Sequence, residues 1–216
     1  MKHFHIKAFD IQDSWFQLLY NIFDYGRLYT IDKGSFEGQQ RLEYDFATVH
    51  IKNPGNRPLI PSIPESLGIE PPTSLEYVES YFTDYLMNPE LRENEEYKYS
   101  SRIDISLDKV INMLKSTPNT NQAVIEIAYP EDIDMIDPAC LRLLQFKIIN
   151  NKLIMYVVMR SNDLWAGYPS NIAGFQLLKE YMVSEIGCED GDIFYTCHGL
   201  HLYDYCFDIA KTRVYK

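Results

Sequence analysis

The sequence predicts an α/β (or α+β) fold, one mixed β-sheet flanked by helices, in a single domain spanning residues 1–216. Helical and strand-like apolar patterns alternate along the chain without a strict repeat, as expected of helices layered over a sheet. No shift in composition marks a domain boundary, and no internal repeat or low-complexity segment interrupts the pattern. At 216 residues the chain is long enough to bury a sizeable core.

The elements follow in order. Ile11, Trp15, Leu18, Leu19, Ile22 and Phe23 share helical spacing and Gly26 offers a stop, giving a helix over residues 11–23. From residue 42 to 51 the apolar parity runs Leu42, Tyr44, Phe46, then shifts to Val49 and Ile51, which reads as a strand with a bulge or bend. Six prolines between residues 53 and 72 make that stretch a loop. Residues 73–76 have the form of a capping box, opening a helix that reaches about Met87. The acidic stretch at residues 93–96 is read as solvated.

The second half is better organised. A helix is expected over residues 105–114 and a buried strand over 122–129. Strands over 141–149 and 153–159 flank Asn150 and Asn151, a hairpin turn. Pro169 and Ser170 open a helix with Ile172, Phe175, Leu178 and Met182 on one face, and Gly187 closes it. Residues 192–197 form the last expected strand.

Composition narrows the function. The hydrophobic share is 46%, and no apolar run approaches the roughly 18 residues of a membrane span. MKHFHIKAFD has no apolar segment of a secretory leader. Cysteines 140, 188, 197 and 206 show no paired spacing, so a reducing cytoplasm is expected. A formal charge of -11 argues against broad nucleic-acid binding, although one local arginine cluster would suffice for a nucleotide monophosphate.

Three segments carry chemistry: DPACLRLLQF around Cys140, MRSNDLWAGYPSNIAGFQLLKEYM from Met159, and GLHLYDY from Gly199. An ordinary thiol with a pKa of about 8.5 is mostly protonated at neutral pH, and a guanidinium such as Arg160 beside it would favour the thiolate. Arg160 could also hold a phosphate through two parallel hydrogen bonds. The amide, imidazole and phenol groups downstream suit a pocket that reads a planar polar ring.

In their order and spacing these segments resemble thymidylate synthase, above all its short methanogen-type branch. With a weaker match from residue 104 to 127, the resemblance covers about half the chain. It implies a cytoplasmic homodimer that methylates dUMP at C5, with 5,10-methylene-tetrahydrofolate or methylene-tetrahydromethanopterin as co-substrate and no metal. Cys140 would add to C6 of the uracil ring, dividing one difficult substitution into easier steps. Arg160 and Ser161 would hold the phosphate, and Asn171 would read the pyrimidine edge, an asparagine favouring uracil. His201 and Tyr203 would bond the sugar hydroxyl, and Gln145 would support the nucleotide pocket. Asp163 would face the pterin or the water beside it as part of the catalytic set, and Glu79 is preferred to Glu76 as the acid/base at C5.

Departures accompany the resemblance. The longer synthases have a histidine directly after the cysteine, where this chain has Leu141. A pair of arginines that crosses the dimer to the phosphate aligns with Asn121 and Gln122. Losing two charged contacts of about 1.5–3 kcal/mol each calls for replacement cations. Arg27 and Lys33 in GRLYTIDKGS are the leading candidates, beside Arg57, Arg102 and Arg142. The sequence stops soon after His201, where longer members continue and cover the cofactor, so the cofactor lid should be different or absent. The alternatives are a dUMP or dCMP hydroxymethylase of the same fold, a catalytically silent nucleotide binder, and a zinc module using Cys188, Cys197, His198, His201 and Cys206.

Overall fold

The computed structural model describes residues 3–33, 36–93 and 95–216. Strand β1 (His3–Ala8) leads into helix α1 (Ile11–Tyr25), whose first turn is closed by the Asp10 carboxylate accepting from the Asp13 amide. Trp15, Leu18, Leu19 and Ile22 are fully buried along its inner face. Each such side chain contributes roughly 1.5–3 kcal/mol. The Trp15 indole donates to the carbonyls of Leu164 and Trp165, tying α1 to a segment far along the chain.

The expected strand at residues 42–51 is two strands. β3 (Gln40–Tyr44) and β4 (Phe46–Ile51) are separated by Asp45 and lie in different sheets, which is why the apolar parity shifts. A further short strand, β2 (Arg27–Thr30), pairs antiparallel with β3. The proline-rich stretch is a loop except for one short helical turn at Glu65–Leu67.

Helix α2 (Leu75–Ser80) begins one residue later than the sequence suggests. Ser74 is the cap, its hydroxyl accepting from Tyr77, while Thr73 accepts from Ser170. α2 continues as a wider π-helical turn over Tyr81–Met87. Next come α3 (Tyr99–Ile103), α4 (Leu107–Ser116) and β5 (Val124–Glu126), the helix two residues later and the strand shorter than expected.

β6 (Leu141–Ile149) and β7 (Lys152–Met159) form the predicted hairpin, with Asn150 and Asn151 at φ 52° and 63°, as a tight primed turn requires. β8 (Asn162–Asp163) precedes α5 (Gly167–Ile186), which ends on Gly187 at φ 81°. β9 (Glu189–Cys197), β10 (Leu200–Tyr203) and α6 (Phe207–Val214) complete the chain.

The expected mixed sheet is present, with six strands in the order β1-β4-β9-β7-β6-β5. A second sheet that the sequence did not disclose runs β2-β3-β10-β8. α5 is central, with Tyr168, Ile172, Phe175, Leu178 and Met182 all fully buried. Among the described residues no helix is long and apolar enough to cross a membrane.

Candidate active site

A cleft of about 660 Å³ collects residues from both sheets and from the start of α5. Cys140, Arg160, Ser161, Asp163, Asn171, His201, Tyr203 and Lys33 all line it, although they come from distant parts of the chain. Strand pairing explains the convergence. The Arg160 amide donates to the Cys140 carbonyl at 2.9 Å, extending the β6–β7 hairpin, and β8 lies parallel to β10 with Asp163 opposite His201.

Cys140 sits at the mouth of β6, partly buried. The Arg160 guanidinium donates to the carbonyls of Pro138 and Ala139 and lies 3.6 Å from Asp137, bracing the loop that presents the thiol. The hydroxyl of buried Tyr99 adds a second brace by accepting from the Leu141 amide at 3.1 Å. Burial pushes the Cys140 thiol above its ordinary range, while Arg160 and Arg142 pull it down and Asp137 raises it. The expected effect of Arg160 on the thiolate therefore operates, but burial outweighs it.

His201 is 4% exposed. Its Nδ1 faces the Gly199 carbonyl at 2.9 Å and Ser161 Oγ at 3.4 Å. Burial lowers its pKa, which favours the neutral ring with Nδ1–H donated to the carbonyl and Nε2 left as an acceptor. Nε2 is buried and has no partner among the described residues. A buried polar atom of this kind calls for a ligand donor. Tyr203 packs edge-on against the same imidazole at 4.7 Å.

Asp163 lines the cleft, and its two oxygens accept from the amides of Trp165, Ala166 and Gly167. These bonds anchor the first turn of α5 and with it Asn171. Gly167 makes room for them, since a Cβ there would stand 2.9 Å from Asn162 Oδ1. Asn171 donates from Nδ2 to the Tyr81 hydroxyl at 2.9 Å.

Three expected site residues lie elsewhere. Glu79 is exposed on α2 and borders a different cavity with Arg57, Leu59 and Leu177, because its neighbour Val78 takes the inward direction. Gln145 is not in the cleft either. Leu144 and Phe146 point into the core, so strand alternation sends Gln145 to the other face, where its amide donates to the Asn121 carbonyl. Arg27 is spent on Asp45 at 2.8 Å and Glu43 at 3.3 Å, with its side chain 55% exposed.

The other candidate cations are also committed. Arg57 grips Glu180 with two bonds, Arg102 grips buried Asp132 likewise, and Arg142 donates to the Ala139 carbonyl. Besides Lys33 and Arg160 the cleft contains Arg41, which sequence reasoning did not nominate. Arg41 pairs with Glu43 at 3.0 Å and donates to the Tyr29 hydroxyl. β3–β10 register places Arg41 opposite Tyr203 and Glu43 opposite His201. The available signal was the alternation of Arg41 and Glu43 in QRLEY, but their partners lie about 160 residues away.

Two smaller cavities adjoin the cleft at Asn171, one of about 370 Å³ walled by Tyr77, Tyr81, Tyr85 and Tyr99, the other of about 410 Å³ beside Thr73, Gly167 and Ser170. The cysteines and histidines weighed as zinc ligands are not gathered: among the described residues no three His, Cys, Asp or Glu side chains meet as a metal site.

Comparison with known proteins gives a consistent pattern. A family model described as thymidylate synthase matches residues 81–216. A provisionally named thymidylate synthase of Methanosarcina mazei is 28% identical over 97% of this chain and 94% of its own. A namesake from Methanosarcina acetivorans has the same identity and coverage. The thymidylate synthase of Listeria monocytogenes is 36% identical over 109 residues, 50% of this chain and 35% of that one.

Proposed function

The chain belongs to the thymidylate synthase family of methyltransferases, and on that premise we propose that it converts dUMP to dTMP through a covalent Cys140 adduct. What supports this most is that residues of three separate motifs, Cys140, Arg160, Ser161, Asn171, His201 and Tyr203, line one cleft.

In this reading Cys140 Sγ bonds to C6 of uracil, and the electron pair of the C5–C6 double bond moves toward C5 and O4. C5 then attacks the one-carbon unit of the methylene-tetrahydropterin. The C5 proton passes to water, the C–N bond to the tetrahydropterin breaks, and a hydride from the freed tetrahydropterin, itself oxidised to the dihydropterin, reduces the methylene to a methyl group as the Cys140–C6 bond breaks and the C5–C6 double bond reforms. Holding the two reactants in place supplies much of the rate. Arg160, Ser161, Lys33 and Arg41 bind the phosphate dianion, Arg41 and Lys33 standing in for the arginine pair that aligns with Asn121 and Gln122. His201 Nε2 accepts from the sugar hydroxyl with Tyr203 beside it, and Asn171 bonds the pyrimidine edge. Asp163 positions Asn171 through the α5 start. Glu79 does not reach the cleft and takes no part in this scheme.

The cavities beside Asn171 have room and aromatic walls for a flat pterin, tetrahydrofolate or tetrahydromethanopterin, next to the base. We further place the enzyme in the cytoplasm as a homodimer, without nucleic-acid or membrane partners. Support for the dimer is an aromatic ladder on the outer face of the large sheet, where Phe194 stacks on His50 at 4.3 Å and on Tyr156 at 5.4 Å.

Cys140→Ser tests the nucleophile. Turnover should fall by about a thousand-fold or more, since the adduct no longer forms, with dUMP affinity within about three-fold of wild type. Normal turnover by this variant would remove Cys140 from the mechanism.

A further inference from the structure

We propose that His198 is a further ligand of the nucleotide phosphate, a titratable cation that this chain supplies beside Lys33 and Arg41 where the arginine pair is missing at Asn121 and Gln122. Nucleotide affinity should then rise as the pH falls through the imidazole range. This rests on the proposed function, in which the phosphate sits at Arg160 and Ser161. The ring takes no part in a metal cluster among the described residues.

Strand geometry puts the imidazole there. β9 buries Tyr195 and Cys197 in the core, so alternation turns His198, the next residue, to the opposite side. Its amide donates to the Met159 carbonyl at 3.2 Å, carrying the β7–β9 pairing one residue further, beside Arg160. Gly199 then lies against the same backbone. Its carbonyl accepts from the Ser161 hydroxyl at 3.3 Å and the Asn162 amide at 3.2 Å, and a Cβ on it would stand 3.2 Å from the Arg160 carbonyl oxygen. His198 is thereby held in register with Arg160 and Ser161, and all three line the cleft.

The imidazole is exposed, packs on the Phe46 ring at 5.4 Å between centres, and has no side-chain hydrogen bond or ion pair among the described residues. The arginines beside it are partly committed, Arg41 to Glu43 at 3.0 Å and Arg160 to Asp137 at 3.6 Å. Lys33 and Asp163 complete the charged groups lining the cleft, with Tyr99, Cys140, His201 and Tyr203 as its other titratable ones. On the sheet, His3 of β1 also packs on Phe46, at 4.8 Å. An imidazole changes charge between about pH 5 and 8, and both its nitrogens donate once it is protonated. A phosphate dianion beside it favours that form. The complex therefore binds more protons than the free protein, and affinity rises as the pH falls.

Calorimetric titration of the full chain with dUMP tests the inference, comparing wild type with His198→Gln at about pH 6.5 and about pH 8.5. His198 is exposed, so its replacement leaves the core intact. His198→Gln should weaken dUMP binding about five-fold at the lower pH and less than about two-fold at the higher. Titration of the phosphate itself, and of His3, His201 and Cys140, is common to both proteins and cancels in the ratio. Deoxyuridine, which has no phosphate, should bind the two proteins alike at both pH values. A ratio that does not change with pH, or an equal loss for deoxyuridine, removes His198 from the phosphate site and leaves the proposed function standing. Failure of wild type to bind dUMP at all removes the proposed function and this inference together.

Discussion

Arg41 and Arg160 occupy one cleft and do different work. Arg160 is directed at the carbonyls of Pro138 and Ala139, so it shapes the thiol's loop as well as opposing the upward push of burial on the thiol. Arg41 is oriented from outside by Glu43 and the Tyr29 ring, at 4.9 Å from the ring centre, and its side chain lines the cleft, where an anion can meet it. Each charge-assisted bond to phosphate is worth about 1.5–3 kcal/mol, so Arg41→Ala should weaken dUMP binding by about ten- to a hundred-fold. Binding of deoxyuridine, which lacks the phosphate, should be unchanged. Equal losses for nucleotide and nucleoside would assign Arg41 to the scaffold instead. Cys140, Arg160, Asn171 and His201 were legible because each stands in a short contiguous motif. Arg41, Tyr81 and Tyr99 were not, since nothing within several residues of them hints at β10, α5 or the Cys140 loop.

At the scale of elements, α5 links the cleft to a buried polar cluster. Its N-terminal turn holds Asn171, and two turns beyond, fully buried Lys179 pairs with Asp190 at 3.1 Å and donates to the Gly191 carbonyl of β9. Burial lowers the Lys179 pKa to about 8, with Asp190 opposing. A folded-state pKa below the unfolded value means that the unfolded chain binds more protons between the two, so stability rises with pH across that window. Wild type should therefore gain melting temperature relative to Lys179→Met from pH 8 to about 10, by on the order of 5 °C. Tyrosine and cysteine titrations are common to both proteins and cancel in the difference; a flat difference would mean that Lys179 is charged throughout. α1, α5 and the β6–β7 hairpin could be read from sequence because their periodicity and stop signals are local. The small sheet could not: β2, β8 and β10 have at most four residues each, and their pairings are set by distant partners. The misplacement of Glu79 and Gln145 has the same origin, as a spacing names an element and not the face it turns inward.

Across the whole molecule, two sheets meet over a cleft that sets three cations, Lys33, Arg41 and Arg160, beside three acids, Glu43, Asp137 and Asp163, in a chain of charge -11. Such a small cluster of cations suits a small dianion better than a polyanion, whose binding needs an extended basic surface. In the homodimer proposed above, the outer face of the six-stranded sheet, with the Phe194 ladder, is the face turned to a second copy. Phe194→Asp should convert a dimer of about twice 25.3 kDa into a monomer in sedimentation equilibrium, because an unpaired carboxylate would be buried at the contact. A wild-type monomer would instead leave the cleft to function from one chain. Every role proposed for the cleft depends on the reaction at C5. Mass spectrometry of dUMP incubated with the enzyme and a methylene-tetrahydropterin should show a gain of one methyl group, absent with Cys140→Ser. A hydroxymethyl product, or a methyl gain that persists without the thiol, would contradict it.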